Sequence, residues 1–315
     1  MRNPIRINRR QFVESAGRTM AAVGAGCLVA GEGPGADLAA ESRLPPVAVF
    51  SKVYQELKLD FEPSAEVTAE AGLEGIDCPV RPAGEILPEH AADRMPRYAE
   101  ALRKRGVDML LLTTAIQGVS SPHAREILVT AKSLGVRYYR LGYWSHRPDV
   151  PPEKLCAEIQ SSLKDLAAMN RELGLCALFH NHSAGGNKAS GPAGGDLDEM
   201  YEILSGFDPD QIAVAFDLGH AIITHAAQWR SRFEKLKDRI RVVYVKDVAR
   251  PSRFVPFGQG EFGRSGFFRL LAKIDYRDPL SMHVEYDWTP QAKKTCALLV
   301  ETLKRNRRVR AQWWG

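Results

Sequence analysis

The sequence predicts an α/β chain closed into a (β/α)8 barrel, the TIM-type architecture. Three observations predict it. Short apolar runs recur eight times, each starting 26 to 39 residues after the last. Helical patterns separate most of them. Three junctions read helix, glycine, strand, at Gly106, Gly135 and Gly174. Near-continuous apolar strands suit a parallel sheet covered on its outside, and eight repeated αβ junctions suit a closed sheet. An open doubly wound sheet would show a glycine-rich phosphate turn after the first strand. That turn reads Ser51-Lys-Val-Tyr-Gln, without glycine.

The runs expected as strands are 47–51, 73–78, 107–113, 136–141, 175–180, 212–217, 241–246 and 280–285. The helices expected are 92–105, 122–134, 152–173, 197–204, 228–238, 266–274 and 290–305, with none read between the first two strands. Pro152 and Pro290 suit first helical positions, and Gly135 and Gly174 suit C-terminal caps. The barrel therefore spans 45–305, followed by a basic, aromatic tail over 306–315.

At 315 residues, 44% apolar and 26% charged, the chain can bury a large core without staples. Disorder, collagen-like repeats and a polytopic membrane protein are excluded, because no uncharged apolar run reaches about 18 residues. The formal charge is +5. Residues 1–40 hold five arginines against three acids, so the remainder carries +3. That is too little for a nucleic-acid partner, and the cluster from Lys304 to Arg310 reads as a solvated helix turn with a frayed end. Cys78, Cys156, Cys176 and Cys296 have no metal-ligand spacing and read as free thiols, with one disulfide left open.

Residues 1–40 read as a leader and linker. Arg9-Arg10-Gln-Phe12-Val13 precedes a short, weakly apolar stretch over 20–30. This is signal-peptide architecture, too short for a stable span. It resembles the twin-arginine (Tat) motif, which implies export to the periplasm of an already folded protein. Ala30 and Ala39-Ala40 are candidate cleavage points. Gly24-Ala25-Gly26-Cys27 is a poor lipobox, so a lipid anchor at Cys27 is the lesser alternative.

Barrel chemistry sits at the C-terminal ends of strands. Six of the eight runs end in ionisable residues: Asp77 and Arg81, Arg140, His180 and His182, Asp217 and His220, Lys246 and Asp247, His283 and Glu285. With period-two alternation, Asp217, Lys246 and Glu285 pointing inward at the rim put Tyr244 and His283 one layer deeper. His182, Asp217 and Glu285 offer one nitrogen and two carboxylates, a set suited to Mn, Mg, Co, Fe or Zn, with His180 as a further ligand. Asp217 could instead cap the next helix, and Glu285 could pair with Arg140 or Lys246. Arg81 and Arg140 suit a carboxylate or hydroxyl clamp, or strand-end ion pairs. Tyr143 and Trp144 suit sugar stacking or core packing. The stretch 184–195 reads as a loop over the pocket, a lid or a plain surface loop.

The ordered series Val49-Phe-Ser-Lys52, Gly75-Ile-Asp77, Arg81-Pro-Ala-Gly84, Tyr138-Tyr-Arg140-Leu-Gly142, Asn181-His182-Ser183, Phe216-Asp217-Leu-Gly-His220, Val245-Lys246-Asp247, Pro256-Phe-Gly258-Gln-Gly260-Glu261 and His283-Val-Glu285-Tyr286 resembles the sugar phosphate isomerase/epimerase family, the xylose isomerase-like TIM barrels, over about 47–288. The resemblance implies one divalent metal holding adjacent sugar oxygens, with ligands from strands five to eight. Asp217 and Glu285 match that pattern. The strand-five Glu is replaced by His180, and the strand-seven His by Tyr244. It also implies that His220, the His of Asp-x-x-His, contacts substrate as part of the catalytic set with Glu285 and Lys246; Arg81, Arg140, Asn181, Asp77 and Glu261 are the substrate-binding residues expected beside it.

The expected chemistry is isomerisation or epimerisation by proton abstraction beside a carbonyl. Glu285 or a histidine of the 180/182 pair moves the proton, and Lys246 steadies the enediolate oxygen. The substrate is a small carbohydrate, a non-phosphorylated keto sugar or glycoside. A lyase or dehydratase of the same superfamily, or a non-catalytic carbohydrate-binding barrel, are the alternatives. Self-association is left open.

Overall fold

A computed structural model describes residues 44–184, 190–290 and 292–314. The expected leader and residues 185–189 of the expected loop lie outside the described residues. From Pro45 the chain is one unit.

Eight parallel strands close a barrel: β1 (Val47–Phe50), β2 (Gly75–Val80), β3 (Asp108–Thr114), β4 (Tyr138–Arg140), β5 (Cys176–His180), β6 (Ile212–Asp217), β7 (Ile240–Val245) and β10 (Leu280–Met282). The last strand pairs with the first in the register Val47↔Leu280. A hairpin, β8 (Val248–Ala249) with β9 (Arg253–Phe254), stands above β7.

The helices are α1 (Lys52–Gln55), α2 (Phe61–Glu70), α3 (Ala91–Lys104), α4 (Ala124–Leu134), α5 (Pro152–Leu173), α6 (Leu197–Leu204), α7 (Leu218–His225), α8 (Trp229–Leu236), α9 (Phe267–Lys273) and α10 (Cys296–Trp314). The glycines read as helix stops do adopt left-handed φ, 74° at Gly106, 79° at Gly135 and 72° at Gly174.

Three differences from expectation have physical causes. Helices α1 and α2 fill the first gap, where small and polar residues with an early Pro63 hide the apolar stripe. The eighth strand ends at Met282, and 283–285 continue as irregular chain. The last helix starts at Cys296 and runs through Trp314, so 306–314 are no tail. Asn306 and Arg310 are buried, and the Trp313 ring packs 5.3 Å from Phe257 and 5.4 Å from Phe262. Lys and Arg on the exposed face concealed this anchored side.

Alternation splits each strand between two cores. On β6, Ile212, Val214 and Phe216 face the helices, where Phe216, Phe233 and Phe267 pack together. Ala213 and Ala215 face the lumen with Ala48, Leu111, Tyr138, Cys176, Leu178, Val242 and Tyr244. Asp217 shares the parity of Ala213 and Ala215, His180 that of Cys176 and Leu178, and Lys246 that of Val242 and Tyr244. The lumen plug thus aims these polar side chains at the mouth. Cys78 and Cys176 are buried, Cys156 is partly buried and Cys296 exposed, all four as free thiols. Among the described residues no helix is long and apolar enough to cross a membrane.

Candidate active site at the barrel mouth

The mouth opens into a cavity of about 180 Å3, lined among others by Arg81, Arg140, His180, His182, Lys246 and Glu285. A second cavity of about 350 Å3 adjoins it, and Phe50, Lys52 and Glu285 line both.

Asp217 ends β6 and is fully buried. Its Oδ1 accepts from the backbone N–H of His220 at 3.1 Å and caps α7. Its Oδ2 faces the site, 3.6 Å from His180 Nε2 and 3.8 Å from His220 Nε2. The cap and ligand readings therefore hold together, one oxygen each. Asn181 fixes the residue from behind: its Nδ2 donates to the Asp217 carbonyl, and its Oδ1 accepts from the Asp217 N–H, both at 2.8 Å.

Lys246 occupies the centre. Its Nζ lies 2.8 Å from Glu285 Oε2, 3.2 Å from Asp217 Oδ2 and 3.2 Å from His220 Nε2. Burial works against its charge, yet the two carboxylates raise its pKa above the usual lysine value. Burial likewise disfavours ionised Asp217, but Lys246 and His220 hold its pKa well below the usual carboxylate range. Glu285 is also lowered despite burial, by His283 and Lys246. The ring of Phe254, on the hairpin, lies 5.3 Å from the ammonium.

Burial holds His180, His182 and His220 neutral. Burial pushes His220 down to about 3, and Lys246 adds to the effect. Burial also lowers His180 strongly and His182 less. His220 Nε2 accepts from Lys246, so its Nδ1 carries the proton, toward Ser183 Oγ at 2.9 Å. His182 Nδ1 donates to the Ser183 carbonyl at 3.0 Å. His180 Nδ1 meets the Tyr143 hydroxyl at 2.9 Å, while His180 Nε2 has no hydrogen-bond partner.

His180, Asp217 and His220 place one ligand atom each within 4.8 Å of one another, all buried. Two neutral imidazoles and an ionised oxygen suit a divalent ion of intermediate softness. His180 Nε2, buried without a hydrogen-bond partner, supports the fit, while Asp217 Oδ2 makes no hydrogen bond but carries the Lys246 ion pair at 3.2 Å. The expected set of His182, Asp217 and Glu285 is not the one brought together. His182 stands outside the cluster and lines the cavity, and Glu285 binds Lys246.

Of the expected substrate contacts, Arg81 and Arg140 line the cavity. Three others do not. Asn181 is spent on Asp217. Asp77 is buried beneath, accepting from Thr113 Oγ1 at 2.8 Å and Ser281 Oγ at 2.7 Å. Glu261 pairs with Arg250 at 2.6 Å, away from the mouth. Tyr143 faces the cavity, whereas Trp144 stacks on Phe179 at 5.5 Å in the core. Ser183 and Lys52 were visible only as family motif residues. Period-two reading gives neither a role, because their partners lie far away in sequence. Asp247 is structural: its carboxylate accepts from the N–H groups of Val248, Gly258, Gly260 and Phe262 at 2.8–3.0 Å.

The sequence profile of the xylose isomerase-like TIM barrel family matches residues 65–302. An inosose dehydratase of Lacticaseibacillus casei is 26% identical over 90 residues, 29% of this chain and 28% of that protein. The chain thus matches under a third of that relative's length. The IOLI protein with a bound zinc atom superposes with a TM-score of 0.65 at 16% identity, over 85% of this chain and 98% of that one. The 3-keto-D-glucoside 4-epimerase YcjR of E. coli gives 0.61 at 12% identity, over 84% and 100%. At these identities the structural likenesses speak for the fold.

Proposed function

The chain belongs to the xylose isomerase-like TIM barrel family, and from that premise we propose that it is a divalent-metal-dependent isomerase or epimerase of a non-phosphorylated keto sugar or glycoside. One observation carries the reading: ionised Asp217 Oδ2 facing neutral His180 and His220 at a barrel mouth lined by proton-moving groups. His180, Asp217 and His220 would hold the ion. When bound, such an ion supplies Lewis acidity beside a substrate carbonyl, which makes the neighbouring C–H more acidic.

The chain's own residues supply the rest. Glu285 is ionised and 26% exposed by side chain, so it can reach a substrate proton. His182 is neutral, with Nδ1 committed to Ser183 and Nε2 left for proton transfer. These groups stand on the extensions of β10 and β5, three strands apart around the barrel. A proton taken on one face and returned on the other inverts a carbon, and returned to the neighbouring atom it isomerises a ketose. Lys246 would hold the oxyanion that forms between them. The adjoining cavity of about 350 Å3 has room for a glycosidic substituent.

Metal content of the purified protein tests the reading. About one divalent ion per chain, lost in His180→Ala and Asp217→Ala, supports it. No metal in a folded wild type sinks it. A second reading, a carbohydrate-binding barrel without metal, draws on the saturation of Lys246, whose three acceptors already surround it. The same measurement separates the two.

We also propose export through the twin-arginine route, on the strength of Arg9-Arg10-Gln-Phe12-Val13 and the weakly apolar stretch after it. Replacing both arginines with lysine should keep the protein in the cytoplasm. Periplasmic recovery of that variant would overturn the proposal.

A further inference from the structure

The cavity holds more positive charge than its acids answer. Lys246 is matched by Asp217 and Glu285, and Lys52 approaches Glu285 at 3.7 Å. Arg81 and Arg140 are not matched. Among the described residues neither has a carboxylate oxygen within 4.0 Å.

Arg140 is 4% exposed. Its Nη2 donates to the Thr114 carbonyl at 3.2 Å, and its guanidinium lies 4.5 Å over the Tyr143 ring. Its Nη1 is buried without a hydrogen-bond partner, and so is Arg81 Nε. Buried charges are normally paired, because an unpaired one forfeits its hydration for nothing. Asp77 lies nearby, but both its oxygens are taken by Thr113 and Ser281. Burial and the charge of Arg140 also hold Arg81 below its usual pKa, so the two guanidiniums share a field that an anion would relieve.

We propose that the substrate is a sugar acid, whose carboxylate is taken by Arg140 and Arg81 while its carbonyl end faces Lys246 and Asp217. The planar fork of a guanidinium matches a carboxylate with two parallel bonds, which a hydroxymethyl group cannot accept. This rests on the isomerase reading of the same cavity and narrows its substrate class. A neutral sugar offers these nitrogens hydroxyl acceptors but no negative charge to answer the two guanidiniums.

The test compares two probes that differ in one group. D-fructuronate and D-fructose share a keto sugar skeleton, with carboxylate in place of hydroxymethyl at C6. D-glucuronate and D-glucose form a second pair. Calorimetric titration of the purified protein should show an acid binding at least about 30-fold more tightly than its neutral counterpart, in line with charge-assisted hydrogen bonds. The ratio should collapse toward one in Arg140→Gln and in Arg81→Gln, each checked for fold by thermal melting. Acids binding no better than their neutral counterparts would overturn the proposal. So would a preference that survives both substitutions. Proton exchange with deuterated water is read separately. Acid-selective binding without exchange sinks the isomerase reading and leaves the arginine subsite standing. Exchange on fructose without acid preference does the reverse.

Discussion

Lys246 Nζ lies 3.2 Å from Asp217 Oδ2, the same oxygen that faces His180 Nε2 at 3.6 Å. The fold thus places its own cation on the one carboxylate oxygen turned toward two imidazoles. Ammonium and metal ion compete for that oxygen. Lys246→Met keeps the length of the side chain and removes the charge. Zinc affinity of the variant should rise more than about tenfold, since two like charges a few ångströms apart repel by several kcal/mol even when screened. Without metal, the same variant should lose about 3 kcal/mol of stability, because buried Asp217 and partly buried Glu285 lose their counter-ion. Zinc titration and urea unfolding check both, and unchanged zinc affinity would show that the lysine does not compete.

Asp217 divides its oxygens between a helix and the site, so two substitutions should part company. Asp217→Asn retains an oxygen for the His220 N–H, whereas Asp217→Ala retains none. We expect the alanine variant to be about 1 kcal/mol less stable than the asparagine variant, the usual worth of an N-cap. Both should lose at least about 100-fold in substrate proton exchange. Parallel urea melts and deuterium incorporation separate the cap from the chemistry.

Glu85 gives a pH signature remote from the proposed metal ligands. Its carboxyl hydrogen-bonds Ser51, its Oε1 is shut from solvent without a partner, and burial pushes its pKa from 4.5 to about 7. The folded-state pKa is raised, so its favourable contribution is complete below about 4.5 and fades as pH rises through 7. Glu85→Gln should therefore be more stable than wild type at pH 8, by about 2 kcal/mol, and should lose that advantage near pH 4.5. Urea midpoints at the two pH values decide, and a pH-independent difference would refute the assignment.

Gly260 has no room for a side chain. A Cβ there would stand 2.2 Å from Asp247 Oδ1 and 2.5 Å from the Val248 carbonyl. Gly260→Ala should cost about 3 kcal/mol, because the Asp247 carboxylate would lose part of its cradle of N–H donors. It should also slow turnover by displacing the hairpin that carries Phe254 against Lys246. Thermal denaturation and steady-state kinetics on the same preparation check the two effects together.

The barrel was legible because the strands are near-continuous apolar runs and three helices stop at glycine. The inward parity of Asp217, Lys246 and Glu285 was legible for the same period-two reason. What was not legible is which atoms meet. Sequence spacing places His180 and His182 on one face, but only the arrangement of the chain gives His180 to the cluster and His182 to Ser183. Asn181 reads as a pocket residue until its side chain is seen bracing the Asp217 backbone. Glu261 reads as a rim acid until Arg250 is seen to bind it. Contacts between residues dozens of positions apart leave no local pattern.

The anchored final helix bears on the order of events during synthesis. Trp313 rests on Phe257, Phe262 and Phe268, and Asn306 Nδ2 donates to the Tyr286 hydroxyl at 3.0 Å. The loop that Asp247 organises and the turn that follows Glu285 are both braced by residues near the end of the chain. The barrel itself closes only when β10 joins β1. A nascent chain can therefore build most of its sheet on the ribosome yet still lack the struts that hold the mouth. The mouth is completed only when that helix docks, and a chain cut within it would leave a barrel whose rim is unfinished.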